Sequence, residues 1–229
     1  MNIVLLLAGG SGSRMGSGIP KQFLVVDGEP VIVHTMRVLE NNRDIDKVVA
    51  VCIDGWEEKL RGYADKAGIS KLFNIVAGGE NRYESTKRGM ESLDVDDDDV
   101  IVVHDAARPM VTDESLSDVI CVCREHGNSM AVIDCVDTMY AREDGSTSQV
   151  LERSTMVRGQ TPEAVTGKRM REMYRAADEK KIYDDSISAL QIALGWKVYF
   201  AKGAEQNIKL TRTTDLKFFE MWLAAQKRA

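Results

Sequence analysis

Residues 3–24, IVLLLAGGSGSRMGSGIPKQFL, constrain the fold of this chain more than any other stretch. Ile3 to Leu7 is an unbroken apolar run, β-branched at its start and closed by glycines. A short run of this kind reads as a strand buried in a parallel sheet. Gly9, Gly10, Gly12, Gly16 and Gly18 follow, mixed with small residues and Arg14, and then Pro20-Lys21. A glycine-rich turn after a strand lets backbone N–H groups come close to a phosphate, and two cations add charge. The stretch therefore reads as a cradle for a polyphosphate. A dinucleotide fingerprint fits poorly, because the spacing after Gly12 is wrong and Pro20 interrupts the helix that should follow. The Gly-Lys-Ser/Thr of a P-loop is missing as well. The competing reading is a flexible loop with two solvated cations.

A chain of 229 residues suits one α/β domain with an accessory element, or at most two small domains. The formal net charge of -6 argues against general nucleic-acid binding, although a local basic cleft stays compatible with it. The four cysteines, Cys52, Cys121, Cys123 and Cys135, include no C-x-x-C pair. Zinc and a disulfide framework are thus not expected, and the thiols read as reduced and mostly buried. Met1-Asn2 leads straight into a strand without a basic leader, and no apolar run reaches membrane-spanning length. The expectation is a cytoplasmic protein that engages neither membrane nor nucleic acid.

Further along, apolar residues at helical spacing from Pro30 to Asn41 predict a helix. Lys47 to Ile53 reads as a buried strand, with Asp54 capping a helix to about Ala67. A strand over 72–76 leads into Gly78-Gly79-Glu80-Asn81-Arg82 and a helix over 84–93. The acidic run from Asp94 to Asp99 lacks the spaced oxygens and glycine of a calcium loop and reads as a solvated turn. Val100 to Val103 is a strand ending in His104-Asp105-Ala106-Ala107-Arg108-Pro109, and ligands of open parallel sheets sit beyond such ends. Thr112 or Asp113 caps a helix to Glu125, before a strand over 130–136. Strands alternating with helices imply βαβ units and a mostly parallel sheet covered on both faces. Polar and apolar residues then alternate from Asp137 to Thr155 around Glu143-Asp144-Gly145, the pattern of a hairpin with no helix to cover it. An isolated hairpin is marginal in water, so a partner subunit is its expected support. The core resumes with Gly159-Gln160-Thr161-Pro162 and helices over 166–178 and 185–194. Strands over 197–201 and 207–211 and a closing amphipathic helix capped by Thr214 complete the reading.

The ordered motifs L-A-G-G-x-G-x-R-M-G…P-K-Q-F, G-G-x-x-R-x-x-S, H-D-A-A-R-P, Q-T-P and N-I-K-L-T resemble, nearly end to end, the cytidylyltransferases that activate polyol phosphates. The resemblance implies a single Rossmann-like domain over residues 1–229, with 137–157 a protruding β-hairpin arm that exchanges between the subunits of a homodimer. It implies transfer of CMP from CTP to a polyol phosphate, with Mg²⁺ bridging phosphate oxygens and Asp105 as its protein contact. By the same match, Arg14, Lys21 and Lys209 clamp the triphosphate and act as the catalytic cations. Ala8, Gly9, Gly10, Gly79, Glu80 and Ser85 hold the nucleotide. Asp105, Arg108, Thr161 and Asp185 face the polyol phosphate, and Thr138 and Arg153 complete the partner's site.

On the residues alone, Asp105-Arg108 reads equally as a structural ion pair and Lys209 as an edge-strand lysine. Arg153 alone reads as an ordinary exposed arginine, and Arg14 and Lys21 as partners of surface carboxylates. An already ionised attacking phosphate needs no proton relay, so His34, His104 and His126 read as structural. Within the family, Gly9, Trp56 and the Gly159–Pro162 segment resemble the ribitol-5-phosphate branch more than the 2-C-methyl-D-erythritol 4-phosphate branch. Ser186 departs from the Thr-Asp-Glu that the second branch commonly carries, while Asp185 stays in register. A nicotinamide-dependent oxidoreductase is disfavoured, since no acidic residue lies about twenty positions beyond the glycines on a second strand's end. A regulatory nucleotide-binding module without catalysis is the third reading.

Overall fold

The opening apolar run forms β1 (Asn2–Ala8), the strand on which the sheet is built. The computed structural model describes residues 1–10 and 18–228. After β1 come a short ribbon of β2 (Val25–Val26) and β3 (Glu29–Pro30), then α1 (Val31–Asn41), β4 (Lys47–Cys52) and α2 (Glu57–Ala67). β5 (Leu72–Ala77), α3 (Arg82–Glu91), β6 (Val100–Asp105), α4 (Asp113–His126) and β7 (Asn128–Asp134) continue the alternation. β8 (Met139–Tyr140) and β9 (Val150–Leu151) form the small hairpin. The chain ends with β10 (Val157–Thr166), α5 (Gly167–Lys180), α6 (Ile187–Ala193), β11 (Phe200–Lys202) and α7 (Thr213–Gln226).

Seven strands pair in the order β11-β7-β10-β6-β1-β4-β5. The pairs β1–β4, β1–β6, β4–β5 and β11–β7 are parallel, and only β10 runs antiparallel to its neighbours. Successive side chains of a strand leave opposite faces, and β1 shows it. Val4 and Leu6 pack with α1, α2 and α4 residues such as Met36, Leu60 and Leu116. Ile3 and Leu5 pack on the other face, with Met90 of α3, Met173 of α5 and Leu190 of α6. The chain moves outward from β1 to β4 and β5, then returns to place β6 on the other side of β1. The strand order thus reverses between β1 and β6, the place where open α/β sheets bind ligands.

The structure corrects the sequence reading at several points. Gly159–Pro162 is no mere re-entry into the core: it lies within β10, a ten-residue strand between β6 and β7. Pro162 hid this strand, since proline cannot donate to a central ladder. A register irregularity between Gln160 and Glu163 on the β7 side accommodates it. Asn207–Thr211 forms no strand; it runs along the end of the sheet, with Leu210 N–H bonded to the Ala107 carbonyl. Asp54 does not cap α2, whose N-cap position falls on Trp56. Thr214 lies inside α7, where Asp215 instead reaches back to the N–H groups of Thr211 and Arg212. α6 starts only at Ile187, with the Ser186 hydroxyl accepting from Ala189 N–H. Among the described residues no helix is long and apolar enough to cross a membrane.

α3 carries Arg82 and Ser85 and lies close against the sheet because Gly89 has no side chain. A Cβ there would come 2.7 Å from a Val51 methyl and 3.3 Å from a Leu5 methyl. Both methyls belong to packed core residues and can give only by displacing others. Gly89→Ala is therefore expected to destabilise the protein by about 1–3 kcal/mol, the usual cost of overpacking. A lower urea midpoint at unchanged slope is the expected result; an unchanged midpoint contradicts this packing account.

Candidate active site

A cavity of about 430 Å³ opens beyond the carboxyl ends of β1 and β6. One wall is the start of the glycine turn, Leu7, Gly9 and Gly10, and the opposite wall is Gly79, Glu80 and Ser85. Gly78 packs tightly between the end of β4 and α3: a Cβ there would come 3.2 Å from both the Cys52 carbonyl oxygen and Ser85 Oγ. At Gly79 a Cβ would come 2.4 Å from the Glu84 Cβ, so only glycine fits the turn as built. α3 ties this wall down. Ser85 Oγ accepts from Gly79 N–H at 3.0 Å, Glu84 accepts from Glu80 N–H, and Asn81 caps the helix at Glu84 N–H. The first turn of α3 borders the cavity, so the positive end of the helix faces it.

Lys21 lines the same cavity, and its place follows from its neighbours. It opens a single 3-10 turn, Lys21–Phe23. The buried Gln22 side chain donates to the Ala8 carbonyl at the end of β1. Phe23 is buried and stacks on Trp56, with ring centroids 4.5 Å apart. Two anchored residues thus hold the turn and leave Lys21 at the cavity wall.

At the cavity floor is Asp105, the last residue of β6, whose side chain is only 9% exposed. Lys209 Nζ lies 2.9 Å from one carboxylate oxygen and Arg108 Nε 3.4 Å from the same oxygen. Arg82 Nη2 lies 3.5 Å from the other. Burial by itself would raise the Asp105 carboxyl, but the charges of Lys209, Arg82 and Arg108 override it and hold the group well below the usual carboxylate range. The neighbouring His104 is fully buried and pushed down to about 4 by that burial, so it is neutral at physiological pH. Its Nε2 meets the Arg108 carbonyl at 3.3 Å, in keeping with a structural role.

Lys209 reaches Asp105 because its segment is stitched to β10. The buried Asn207 side chain donates to the Thr161 carbonyl at 2.8 Å and to Gln160 Oε1 at 3.2 Å. The Asn207 carbonyl accepts from Arg108 Nη1 at 2.7 Å. Leu210 then packs under α7 with Phe219 and Met110. The Thr161 hydroxyl accepts from Asp105 N–H at 3.1 Å and closes the network.

Of the residues expected from sequence, Gly9, Gly10, Lys21, Gly79, Glu80, Ser85, Asp105 and Lys209 come together around one cavity. Arg14 falls in residues 11–17, outside the described residues. Ala8 does not line the cavity; its side chain belongs to the core and its carbonyl is taken by Gln22 and Ile53. Arg108 and Thr161 stand behind the wall and hold Asp105 in place. Asp185 is exposed, with its carbonyl accepting from Arg82. Thr138 and Arg153 lie on the exposed hairpin segment away from the cavity, where Arg153 donates to the Val136 carbonyl. The Asp105–Arg108 ion pair read as one alternative is present. Lys209 is no edge-strand lysine.

Sequence reasoning passed over Arg82, which lines the cavity and touches Asp105. It also passed over the positioning residues Gln160 and Asn207. All three lie inside quoted motifs, G-G-x-x-R-x-x-S, G-Q-T-P and N-I-K-L-T, so the signal was their place in those motifs.

The model of the IspD family, 2-C-methyl-D-erythritol 4-phosphate cytidylyltransferase, matches residues 2–225. Ribitol-5-phosphate cytidylyltransferase of Lacticaseibacillus paracasei is 35% identical, over 97% of this chain and 98% of its own length. 2-C-methyl-D-erythritol 4-phosphate cytidylyltransferase of Syntrophus aciditrophicus is 33% identical, over 98% and 97%. In structure, 4-diphosphocytidyl-2C-methyl-D-erythritol synthase of Anaerococcus prevotii superposes with a TM-score of 0.84 at 23% identity, covering 98% of both chains, which speaks to the fold. 2-C-methyl-D-erythritol 4-phosphate cytidylyltransferase of Thermus thermophilus does so with 0.77 at 25%, over 97% of this chain and 98% of its own. With a glycine-walled cavity whose two lysines come from opposite ends of the sequence, and a family match over nearly its whole length, this chain belongs to the IspD family of cytidylyltransferases.

Proposed function

We propose that the cavity transfers CMP from CTP to a polyol phosphate, with D-ribitol 5-phosphate as the acceptor. One observation carries the reading: Lys21 and Lys209 line a single cavity with the glycine turn and an ionised Asp105. In this reaction an acceptor phosphate oxygen bonds to the α-phosphorus of CTP, and the bond from that phosphorus to the departing pyrophosphate breaks. Both reactants are anions, so positioned positive charge is the main requirement. Lys21 and Lys209, together with Arg14, clamp the triphosphate and stabilise charge on the leaving pyrophosphate. Gly9, Gly10, Gly79, Glu80 and Ser85 hold the cytidine half through backbone groups and a hydroxyl. Arg82 joins them at the border with the acceptor half, where Asp105 and Arg108 receive the polyol phosphate.

A magnesium ion carried on a triphosphate needs only one or two protein carboxylates, because phosphates and water supply the rest. Among the described residues no cluster of three or more potential ligands exists; Asp105 at the cavity floor is the carboxylate that would meet such an ion, provided the bound phosphates draw Lys209 and Arg82 away from it. Bound there, it would neutralise phosphate charge and orient the reacting oxygens. The preference for ribitol 5-phosphate rests on Gly9, Trp56, the Gly159–Pro162 segment and Ser186, and on the 35% identity to a ribitol-5-phosphate enzyme. Its rival, 2-C-methyl-D-erythritol 4-phosphate, has the 33% relative and the family description on its side.

The reading includes a homodimer through residues 137–157, with Thr138 and Arg153 reaching the partner's acceptor site. Its support is apolar surface that one chain leaves open around the hairpin, Val136, Tyr140 and Val150, each more than half exposed. Sedimentation is expected to give a dimer, and a monomer at micromolar concentration would remove Thr138 and Arg153 from the site. Lys21→Ala should fold as the parent does and lose at least about 100-fold in turnover. A Lys21→Ala enzyme with near-parental turnover would overturn the clamp. Pyrophosphate release from CTP is expected to be faster with ribitol 5-phosphate than with 2-C-methyl-D-erythritol 4-phosphate. The reverse order moves the chain to the isoprenoid branch, and release with neither acceptor defeats the reaction as written.

A further inference from the structure

Trp56 helps to mark a branch of the family, yet the transfer reaction above gives it no part. It reaches the site through a neighbour. Its indole stacks on Phe23, with ring centroids 4.5 Å apart and planes 23° from parallel. Phe23 is 3% exposed and closes the 3-10 turn that Lys21 opens. Tyr63 of α2 packs beside Phe23 at 6.4 Å, and Lys59 Nζ stands 4.1 Å from the centre of the Trp56 ring. Stacked aromatic pairs at such distances contribute beyond the area they bury.

The two segments are joined a second time through the backbone. The Ala8 carbonyl at the end of β1 accepts from the Gln22 side chain at 2.5 Å and from Ile53 N–H at 3.3 Å. Ile53 begins the turn that delivers Trp56: Trp56 N–H donates to the Ile53 carbonyl at 3.2 Å, and Gly55 between them has φ +78°. A side chain is strained in that left-handed region, and glycine is not. On the other segment, the side chain of Lys21 runs beside the glycine turn, since a Cβ on Gly10 would lie 4.0 Å from Lys21 Cε.

A single 3-10 turn has poor hydrogen-bond geometry of its own, so its surroundings set its orientation. Hydrogen bonds pin it to the rest of the described residues at Gln22 and at its exit, where the Leu24 carbonyl accepts from Val31 N–H at 3.0 Å. Two such points leave rotation about the line between them, and the ring pair blocks it. We propose that Trp56 is a positioning residue for Lys21: its stack on Phe23 fixes the orientation of the turn, and with it the place of the ammonium on the cavity wall. A positive charge serves a triphosphate best when it is in place before the ligand arrives. The gain in turnover rests on the transfer reading above; the placement of the turn does not.

Trp56→Ala removes the stack, and Trp56→Phe keeps it. Trp56→Ala is expected to lower kcat/KM for CTP roughly tenfold, less than the loss of Lys21 itself, because the ammonium is misplaced and not removed. Trp56→Phe should stay within about twofold of the parent. In a Lys21→Ala background the Trp56→Ala change should cost less than about twofold, since residues that act through one group are not additive. A similar loss in both backgrounds overturns the proposal, as does a Trp56→Ala enzyme with parental kcat/KM. In a crystal structure of Trp56→Ala the Lys21 side chain should lie away from Gly10, and an unmoved turn again overturns the proposal. Should Trp56→Ala fail to fold, Trp56→Leu, which fills much of the space without a ring, takes its place in the same cycle. Should Lys21→Ala keep near-parental turnover, the clamp reading fails, and the position of the turn in the Trp56 variant alone decides the role of Trp56.

Discussion

The site depends on one buried carboxylate shared by three cations. Asp105 draws Arg82 and Lys209 to the end of β6 from segments far apart in the chain, and Arg108 from three residues on. Neither Arg82 nor Lys209 would hold that position by propensity or local geometry. A buried charge stripped of its partners costs several kcal/mol, so the carboxylate and its cations enforce one another's positions. The same arrangement leaves surplus positive charge at the site, since three cations face the single carboxylate of Asp105. An anionic ligand can then compete for the cations without leaving Asp105 unpaired.

Around that centre, the burden of precision falls on hydrogen bonds rather than on packing. Lys209 sits in a segment with no secondary structure of its own. It is placed by the Asn207 bonds to β10 on one side and by Leu210 under α7 on the other. Arg108 is held by its bond to the Asn207 carbonyl, and Asp105 by its N–H on the Thr161 hydroxyl. Buried amides of this kind act as one unit, because losing one partner leaves several groups unsatisfied. The glycine wall complements this rigidity: Gly78 packs tightly on the Cys52 carbonyl and Ser85, and Gly79 on Glu84, which leaves little room for a side chain.

The irregular β10 serves both Asp105 and the segment that carries Lys209. Its irregular stretch between Gln160 and Glu163 turns the Thr161 hydroxyl toward Asp105 and gives Asn207 its acceptors. Beyond the irregularity β10 pairs with β6 from Glu163 to Thr166.

The sequence by itself determined the layered α/β fold, since apolar runs such as Ile3–Leu7 and Val100–Val103 can be buried only between helices. It also marked the carboxyl ends of β1, β5 and β6 as the functional edge, because Gly9-Gly10, Gly78-Gly79 and Asp105 all follow apolar runs. Periodicity and turn chemistry are local properties, and a linear reading captures them. β10 escaped that reading because Pro162 signals against a central strand, and only the paired neighbours β6 and β7 show how a bulge absorbs it. Arg82 and Asn207 look like ordinary polar residues one at a time. Tertiary structure alone decided that they meet Asp105 and its surroundings, because the worth of a buried charge or amide is set by partners that the chain brings from a distance.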